Sequence, residues 1–530
     1  MRKRFNVSGT CFPEEHYMVN IDGRLKQITA MIQQGEYFCI NRARQFGKTT
    51  LLEGLFRTLK KTYTVFFLSF EGLDRSSYES SYDFNQNFCT LLLDSLDEDN
   101  RDSISEESIN KLEKIADGTL RINFTGLNQL IRELCQSARR PVILLIDEVD
   151  NACNNQIFLD FLGTLRMKYL QRKRIATFQS VILTGVYDIK NLKLKIRPNE
   201  EHRYNSPWNI AAKFTVDMSF STVEIKAMLL EYAADCNIEI NAAEISQLIY
   251  DYTSGYPYLV SQICKLMDEV VSKNSEFPSL CSVWTQEGFL AAIKLLLKEQ
   301  NTLFDDIIKK LSDHHKLKLL IQDILFVGNH YPYQADNETI QLGTMFGFLK
   351  DRDSSVAVAN RIFEVRLYDY FLSEDMVGNA IYQAASANRN QFIVHGMLQM
   401  KLVMEKFFEY YTELYNPTDE AFVENQGRKL FLLFLKPIIN GTGNYYIEAQ
   451  TRDQKRTDII VDYHGQQFII ELKLWHGKEY EERGKKQLFE YLNYYHKEQG
   501  YLLSFNFNKK KTIGIQELQY ENKRILEVIV

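Results

Sequence analysis

Short apolar runs alternate with helical patterns over the first two hundred residues of this 530-residue chain. Such alternation is typical of βαβ units, in which parallel strands are joined by covering helices. A helix is predicted at Thr49–Lys61, and strands are predicted at Glu36–Ile40, Thr64–Phe70, Val142–Ile146 and Val181–Thr184. We therefore expect an α/β fold with a parallel sheet that carries helices on both faces.

The rest of the chain departs from this alternation, and 530 residues exceed what a single core can organise. Helical periodicity alone continues from 218 to 300. A hairpin predicted from Gln341–Phe348 and Val356–Phe363 is typical of a winged-helix module. A helical stretch covers Glu374–Tyr415, and Asn416-Pro417 marks a boundary. The predicted domains are an α/β core at 1–217, a helical lid at 218–300, a winged-helix-like and helical linker at 301–404, and an α/β domain at 405–530.

Charge, cysteine usage and hydropathy exclude several classes of protein. The net charge of −6 argues against general nucleic-acid binding by the whole molecule. Residues 418–530 hold 17 Lys/Arg and 16 Asp/Glu, and the remainder holds 46 and 53, so a DNA-facing C-terminal domain fits the asymmetry.

The eight cysteines form no Cys-x-x-Cys pair, so we expect reduced thiols. No apolar run approaches the ~20 residues that span a bilayer. We expect a cytoplasmic protein without membrane association.

A phosphate-binding loop is indicated between the first strand and its helix, where the chain reads Asn41-Arg-Ala-Arg-Gln-Phe-Gly-Lys-Thr-Thr50. Orphan N–H groups and the dipole at a helix N-terminus favour an anion. Lys48 would meet the β- and γ-phosphates of ATP, and the Thr49 hydroxyl would bind Mg²⁺. Arg42 stands where such loops usually carry Gly, so a reshaped or looser loop is expected. An ordinary helix start is the alternative interpretation of Gly-Lys-Thr.

A buried strand that ends in two carboxylates supports the loop. Val142–Ile146 is followed directly by Asp147 and Glu148. Asp147 can hold the Mg²⁺ shell, and Glu148 can polarise the attacking water. Solvated acids that cap a strand are the alternative.

Residues 1–370 resemble AAA-like P-loop ATPases related to the STAND and archaeal ATPase groups. The resemblance rests on residues 5–18, 44–50, 145–150, 183–188, 206–210 and 255–257. It implies that Thr184 is a nucleotide sensor, that Gly255-Tyr-Pro257 belongs to a lid closing near the nucleotide, and that His16–Met18 lies near the base. Arg44 or Arg203 would supply charge to the transition state or serve structure. The predicted nucleotide contacts are Arg44, Gln45, Phe46, Gly47, Lys48, Thr49, Thr50, Asp147 and Thr184.

A second pattern of carboxylates and lysine lies near the C-terminus, on predicted strands at 445–450, 457–461 and 467–473. Alternation along the third strand puts Glu471 and Lys473 on one face, and Asp458 begins the neighbouring strand. Two carboxylates can hold Mg²⁺ or Mn²⁺, which activates water, while the lysine stabilises developing charge. A surface ion-pair ladder is the alternative.

Residues 405–530 are similar in this spacing to the PD-(D/E)xK nuclease superfamily, with Thr457 in place of the usual Pro. Gln487 and Tyr491 resemble its Q-x-x-x-Y helix, and Glu424 stands where the superfamily often places another metal-shell acid. The resemblance implies a restriction-endonuclease-like α/β domain with Asp458, Glu471, Lys473 and Gln487 in catalysis and Glu424, Asp458 and Glu471 at the metal. Glu448 is a further ligand or a partner of Arg456. Phosphate contacts or a solvated face are expected of Lys485, Lys486 and Lys509–Lys511.

Two functions of different classes follow from these patterns. The first is an ATP-binding and ATP-hydrolysing protein with a metal-dependent endonuclease domain, with DNA favoured as the nucleic acid, in defence or DNA processing. The second is a STAND-like switch, expected to form homo-oligomers, whose nuclease-fold domain binds a partner without catalysis. A DNA-binding motor ranks third, because the chain lacks a basic stripe.

Overall fold

The computed structural model describes residues 2–186, 208–327, 330–414, 424–440, 442–448, 457–474, 478–506 and 513–530. These residues form two compact units. The first comprises Met1–Tyr250, Ser254–Thr285 and Met345–Gly347; the second comprises Asp251–Thr253, Gln286–Thr344 and Phe348–Val530. The division into four domains stays a prediction.

The first unit is built on a four-stranded parallel sheet, as the alternating pattern predicts. Its strands are β1 (Phe38–Asn41), β2 (Thr64–Ser69), β3 (Val142–Asp147) and β4 (Ser180–Gly185). Their order in the sheet is β1-β4-β3-β2, and every neighbouring pair is parallel. The carboxyl ends of all four strands therefore lie at the same edge.

Helices cover both faces of this sheet. Alternate residues of β3 belong to two separate cores: Leu144 and Ile146 to one, Ile143 and Leu145 to the other. Every residue of β3 is buried in consequence. The covering helices are Asp22–Gln33, Lys48–Leu59, Ser81–Asp94, Glu98–Arg101, Glu106–Ala116, Phe124–Ser137 and Gln156–Gln171.

The segment predicted as a helical lid is helical. Its helices are Thr222–Cys236, Ala242–Thr253, Pro257–Glu269, Leu280–Val283 and Gln286–Lys298. Ser221 and Glu224 form a capping box at the first of them, which satisfies N–H groups that a helix start leaves unpaired. Glu224 also pairs with Arg24, at 2.6 Å, and this ion pair links the helix Thr222–Cys236 to the α/β core.

The second unit begins with helices and a short hairpin. The hairpin pairs β5 (Leu349–Arg352) with β6 (Ser355–Val358). The expectation of a strand over Gln341–Phe348 is wrong, because a helix occupies Glu338–Met345. The helical stretch expected over Glu374–Tyr415 is interrupted by the strand pair β7 (Ile393–Val394) and β8 (Met397–Leu398). The other helices are Thr302–Asp313, His315–Gln322, Arg361–Met376, Ala380–Ala387 and Met400–Leu414.

A six-stranded mixed sheet completes the second unit. The strands are β9 (Gly443–Glu448), β10 (Thr457–Tyr463), β11 (Gln466–Leu474), β12 (Gln499–Phe505), β13 (Gly514–Tyr520) and β14 (Lys523–Ile529). Their order is β13-β14-β12-β11-β10-β9. The sequence predicts the first three strands and the two helices, Glu424–Ile439 and Lys478–Tyr494, but not β12, β13 and β14.

Candidate functional sites

The loop after β1 reaches the helix Lys48–Leu59 through two residues with positive φ, Gln45 at 56° and Gly47 at 78°. Positive φ is the conformation that favours glycine, and Arg42 does not adopt it. The loop therefore turns without a positive φ at residue 42, and its left-handed residues are Gln45 and Gly47.

The Arg42 side chain is used within the protein. Its guanidinium donates to the carbonyl oxygen of Val216 at 3.0 Å and lies 5.3 Å from the ring centre of Phe214. Its backbone N–H donates to the carbonyl oxygen of Gly185 at 3.2 Å. Arg42 thus fastens the start of the loop to the end of β4.

Lys48 is buried at the first turn of the helix, with 6% of its surface exposed. Its ammonium donates to the carbonyl oxygens of Arg42 and Ala43, both at 3.1 Å. Burial lowers the pKa of Lys48, and the nearby carboxylate of Glu148 opposes that shift. The loop therefore carries a cation on its inner side.

Asp147 is the centre of a hydrogen-bond network at the carboxyl ends of β3 and β4. Thr49 donates its hydroxyl to Asp147 Oδ2 at 2.8 Å. Thr184 donates its hydroxyl to Oδ1, which also accepts the N–H of Glu148 at 2.9 Å. The structure brings Lys48, Thr49, Asp147 and Thr184 together where the sequence expects them.

Glu148 follows with a left-handed backbone, at φ 53°. Such a conformation is uncommon for a residue other than Gly, Asn or Asp, and it turns the chain sharply after β3. Burial raises the pKa of the Glu148 carboxyl, and the neighbouring charge of Asp147 raises it further. This carboxyl therefore holds a proton more strongly than an exposed glutamate does.

The segment at the start of the chain and the turn before Pro257–Glu269 also touch the loop region. The N–H of Cys11 donates to the Thr50 hydroxyl at 3.1 Å, so that hydroxyl bonds within the protein. Tyr256 donates its hydroxyl to the Arg44 carbonyl, and its ring meets Phe46 edge-on at 4.8 Å. No role for the Tyr256 side chain is predicted from the sequence, in which the Gly-Tyr-Pro turn is the only signal at this position.

Glu471 and Lys473 lie on the same face of β11, as alternation predicts. Glu471 is fully buried, and the Lys473 ammonium is 2.9 Å from its Oε1. Lys473 also donates to Gln487 Oε1 at 3.4 Å, and Gln487 donates to the Tyr491 hydroxyl at the same distance. Three predicted site residues, Glu471, Lys473 and Gln487, therefore meet between β11 and the helix Lys478–Tyr494.

The other predicted members of this cluster are less fully described. The side chains of Glu424 and Asp458 lie outside the described part of the structure, as do those of Glu448 and Arg456 and the whole of Lys509–Lys511. In the part that is described, no three His, Cys, Asp or Glu side chains form a group that could hold a metal ion.

A second buried acid on this face was missed by the sequence analysis. Glu527 of β14 is fully buried and lies in the same row as Glu471, since each pairs with Leu502. Its Oε2 accepts from Gln516 at 2.7 Å and is 3.6 Å from the Lys485 ammonium. The expectation that Lys485 faces phosphate or solvent is wrong, because its side of the helix packs onto the sheet. The available signal was a single acid inside the apolar run Ile525–Ile529.

Comparison with known proteins gives one family match. Residues 14–364 match the family described as AAA-like domain. No curated protein matches the chain significantly. No helix in the described ranges is long and apolar enough to cross a membrane.

Several solved structures resemble the chain. A Walker-type ATPase of Pyrococcus abyssi superimposes with a TM-score of 0.43 and 12% identity, covering 68% of this chain and 99% of that one. The ORC1 protein of Aeropyrum pernix, solved in complex with DNA, gives 0.29 and 10%, covering 68% and 95%. ORC2 of the same organism, solved with ADPNP and ADP, gives 0.35 and 12%, covering 70% and 97%.

Proposed function

Because the chain belongs to the AAA-like domain family, we propose that its first unit binds and hydrolyses ATP with Mg²⁺. The observation that carries the proposal is the network in which Thr49 and Thr184 both donate to Asp147, beside the buried ammonium of Lys48. Parallel α/β sheets bind ligands outside the carboxyl ends of their strands, which is where this network lies.

The side chains fit an ATP–Mg²⁺ complex by their chemistry. Lys48 and the N–H groups that begin its helix would hold the phosphates. The Thr49 hydroxyl and the Asp147 carboxylate are hard oxygen donors, which Mg²⁺ prefers. Bound Mg²⁺ supplies positive charge that offsets the charge developing on the phosphates.

The remaining residues would act on the attacking water and on position. The Glu148 carboxyl, once deprotonated, accepts a hydrogen bond from water and orients it. Thr184 keeps Asp147 in a single orientation by donating to Oδ1. Gln45, Phe46, Gly47 and Thr50 belong to the loop and helix start that would surround the phosphates, and Arg44 is proposed to add charge there.

Glu148→Gln tests the ATPase proposal. We expect the variant to bind a fluorescent ATP analogue as the unchanged protein does, with turnover at least 100-fold lower, because general-base catalysis contributes about that much. Glu14→Gln, at an exposed carboxylate of the same unit, is the control and should turn over normally. Normal turnover by Glu148→Gln would remove Glu148 from the proposal.

We propose a second activity for the C-terminal sheet, which is metal-dependent cleavage of nucleic acid with DNA favoured. Burying a carboxylate costs free energy unless it is paired, and such groups gather at functional sites. The proposal is supported by fully buried Glu471, which pairs with Lys473, while Lys473 also donates to Gln487. Ile459 pairs with Ile470, so the next pair along both strands would be Asp458 and Glu471. Glu424, Asp458 and Glu471 are the proposed ligands of Mg²⁺ or Mn²⁺.

The cleavage assay uses the full chain with duplex DNA, single-stranded DNA and RNA, with Mg²⁺ or Mn²⁺, and with or without ATP. Glu471→Gln and Lys473→Met should abolish cleavage, whereas Lys309→Met, at an exposed lysine elsewhere in the second unit, should not. Equal cleavage by all variants would exclude this site.

The variant Lys48→Ala, together with the cleavage assay, distinguishes a STAND-like switch from a nuclease. If Lys48→Ala changes the oligomeric state in sedimentation while no metal supports cleavage by the unchanged protein, the C-terminal sheet is a binding module.

A further inference from the structure

Asp150 packs against the end of β4. It lies in the short turn Val149–Asn151 that follows β3, three residues beyond Asp147. Its Oδ2 accepts the backbone N–H of Val186 at 2.7 Å. A Cβ built on Gly185 would lie 2.7 Å from Asp150 Oδ1, which is closer than real side chains approach. The absence of a side chain at Gly185 therefore leaves room for the Asp150 carboxylate.

The backbone that Asp150 holds joins two parts of the proposed ATP site. On one side, Thr184 donates its hydroxyl to Asp147. On the other, the carbonyl oxygen of Gly185 accepts the N–H of Arg42, where the phosphate loop begins. A shift of Gly185 would disturb both contacts, because they lie on consecutive residues of one strand.

We infer that Asp150 is a positioning residue, which rests on the proposed ATPase function: it clamps Gly185 and Val186 so that Thr184 stays bonded to Asp147. Asp150 does not touch the phosphates in this role. Its contribution comes from the hydrogen bond to Val186 and not from its charge, although its carboxylate does act on Lys48 and Glu148 electrostatically. Asparagine keeps the acceptor oxygen and removes the charge, so the two contributions can be separated.

The test compares Asp150→Ala with Asp150→Asn in the full chain. We expect Asp150→Ala to lower kcat at least tenfold, with the Kd for a fluorescent ATP analogue changed less than threefold. Asp150→Asn should keep kcat within threefold. In the absence of nucleotide, hydrogen–deuterium exchange at the Val186 amide should be at least tenfold faster in Asp150→Ala than in the unchanged protein, and unaltered in Asp150→Asn.

Gly185→Ala provides an independent arm, because its added methyl group displaces the carboxylate. Its loss of kcat should match that of Asp150→Ala, and the double variant should lose no more than either single variant, since both changes remove the same contact. Multiplied losses in the double variant would overturn the inference. So would equal loss in Asp150→Asn and Asp150→Ala, or normal kcat or normal exchange in Asp150→Ala.

Failure of the underlying proposal is read from a different measurement. If the unchanged protein binds no ATP analogue, the ATPase function fails and this role fails with it. If the unchanged protein binds and hydrolyses ATP while Asp150→Ala has normal kcat, the role of Asp150 alone fails.

Discussion

At the scale of single residues, Lys48 is a cation held inside the protein by carbonyl oxygens. Lys48→Met keeps the aliphatic stem and removes the charge. We expect at least a 100-fold loss of affinity for ATP, with an unchanged or higher Tm without nucleotide, because burying an ammonium is costly. Titration with a fluorescent nucleotide and a thermal scan measure both. Lys26→Met, at an exposed lysine, is the control. Retained affinity would contradict the assignment of the loop.

Arg42→Gly restores the glycine that phosphate loops usually carry. We expect this change to lower the free energy of unfolding by about 1–2 kcal/mol, because hydrogen bonds of about 1 kcal/mol each are lost and glycine adds flexibility. The Kd for ATP should stay within threefold of that of the unchanged protein, because the backbone at position 42 does not adopt a positive φ. Urea unfolding and nucleotide titration test this. A large gain in affinity would show that Arg42 obstructs the loop.

Residues with a local sequence signal were the ones that could be predicted. Lys48 begins a predicted helix and Asp147 follows a predicted strand, so the sequence indicates both residues. The structure places them in one site. For Asp150, Tyr256 and Glu527 the local pattern indicates at most a turn or an acid within an apolar run, and does not identify the partner. Each acts on a partner that is distant in sequence, so its role depends on how strands and helices pack, which periodicity does not reveal.

At the scale of elements, the helix Lys478–Tyr494 is fastened to its sheet by the buried pair of Lys485 and Glu527. Lys485→Met leaves Glu527 without that cation, and we expect a loss of about 3 kcal/mol in the free energy of unfolding. Adding Glu527→Gln should recover part of the loss, because no unpaired charge remains. Lys486→Met should change the free energy by less than about 0.5 kcal/mol. Urea unfolding gives the free energy of unfolding of all four proteins. If Lys485→Met is as stable as the unchanged protein, the pair of Lys485 and Glu527 has no structural role.

Elements with regular periodicity were predictable, and those fixed by capping or long-range pairing were not. β3 reads as a buried strand because both of its faces pack into cores. The strand predicted at Gln341–Phe348 is wrong, because a capped helix occupies Glu338–Met345. The Asn337 side chain accepts the N–H groups of Thr339 and Ile340, and Gly347, with φ 77°, follows the helix. β12, β13 and β14 are not predicted, because no local pattern indicates that β12 pairs with β11, β14 with β12 and β13 with β14.

At the scale of the whole molecule, the eight cysteines all lie in the described ranges and differ in exposure. Cys281 is exposed, and the others are partly or fully buried. Burial raises the pKa of Cys89 and Cys135 to about 12, which lowers the fraction of reactive thiolate. We expect a thiol reagent to modify one cysteine rapidly in the native protein and the rest on unfolding. Cys281→Ser should remove the rapid phase; its persistence would contradict this burial pattern.

The hydrogen bond from Tyr256 to the Arg44 carbonyl has a thermodynamic consequence. It makes the turn before Pro257–Glu269 and the backbone of the phosphate loop parts of one equilibrium. If a bound nucleotide strengthens or weakens that hydrogen bond, it changes the affinity of this helix for any protein or peptide that binds there. Because linkage is reciprocal, such a partner changes the affinity for the nucleotide by the same factor. A partner that binds the helix Pro257–Glu269 would therefore change the affinity of the phosphate loop for its nucleotide without contacting the loop.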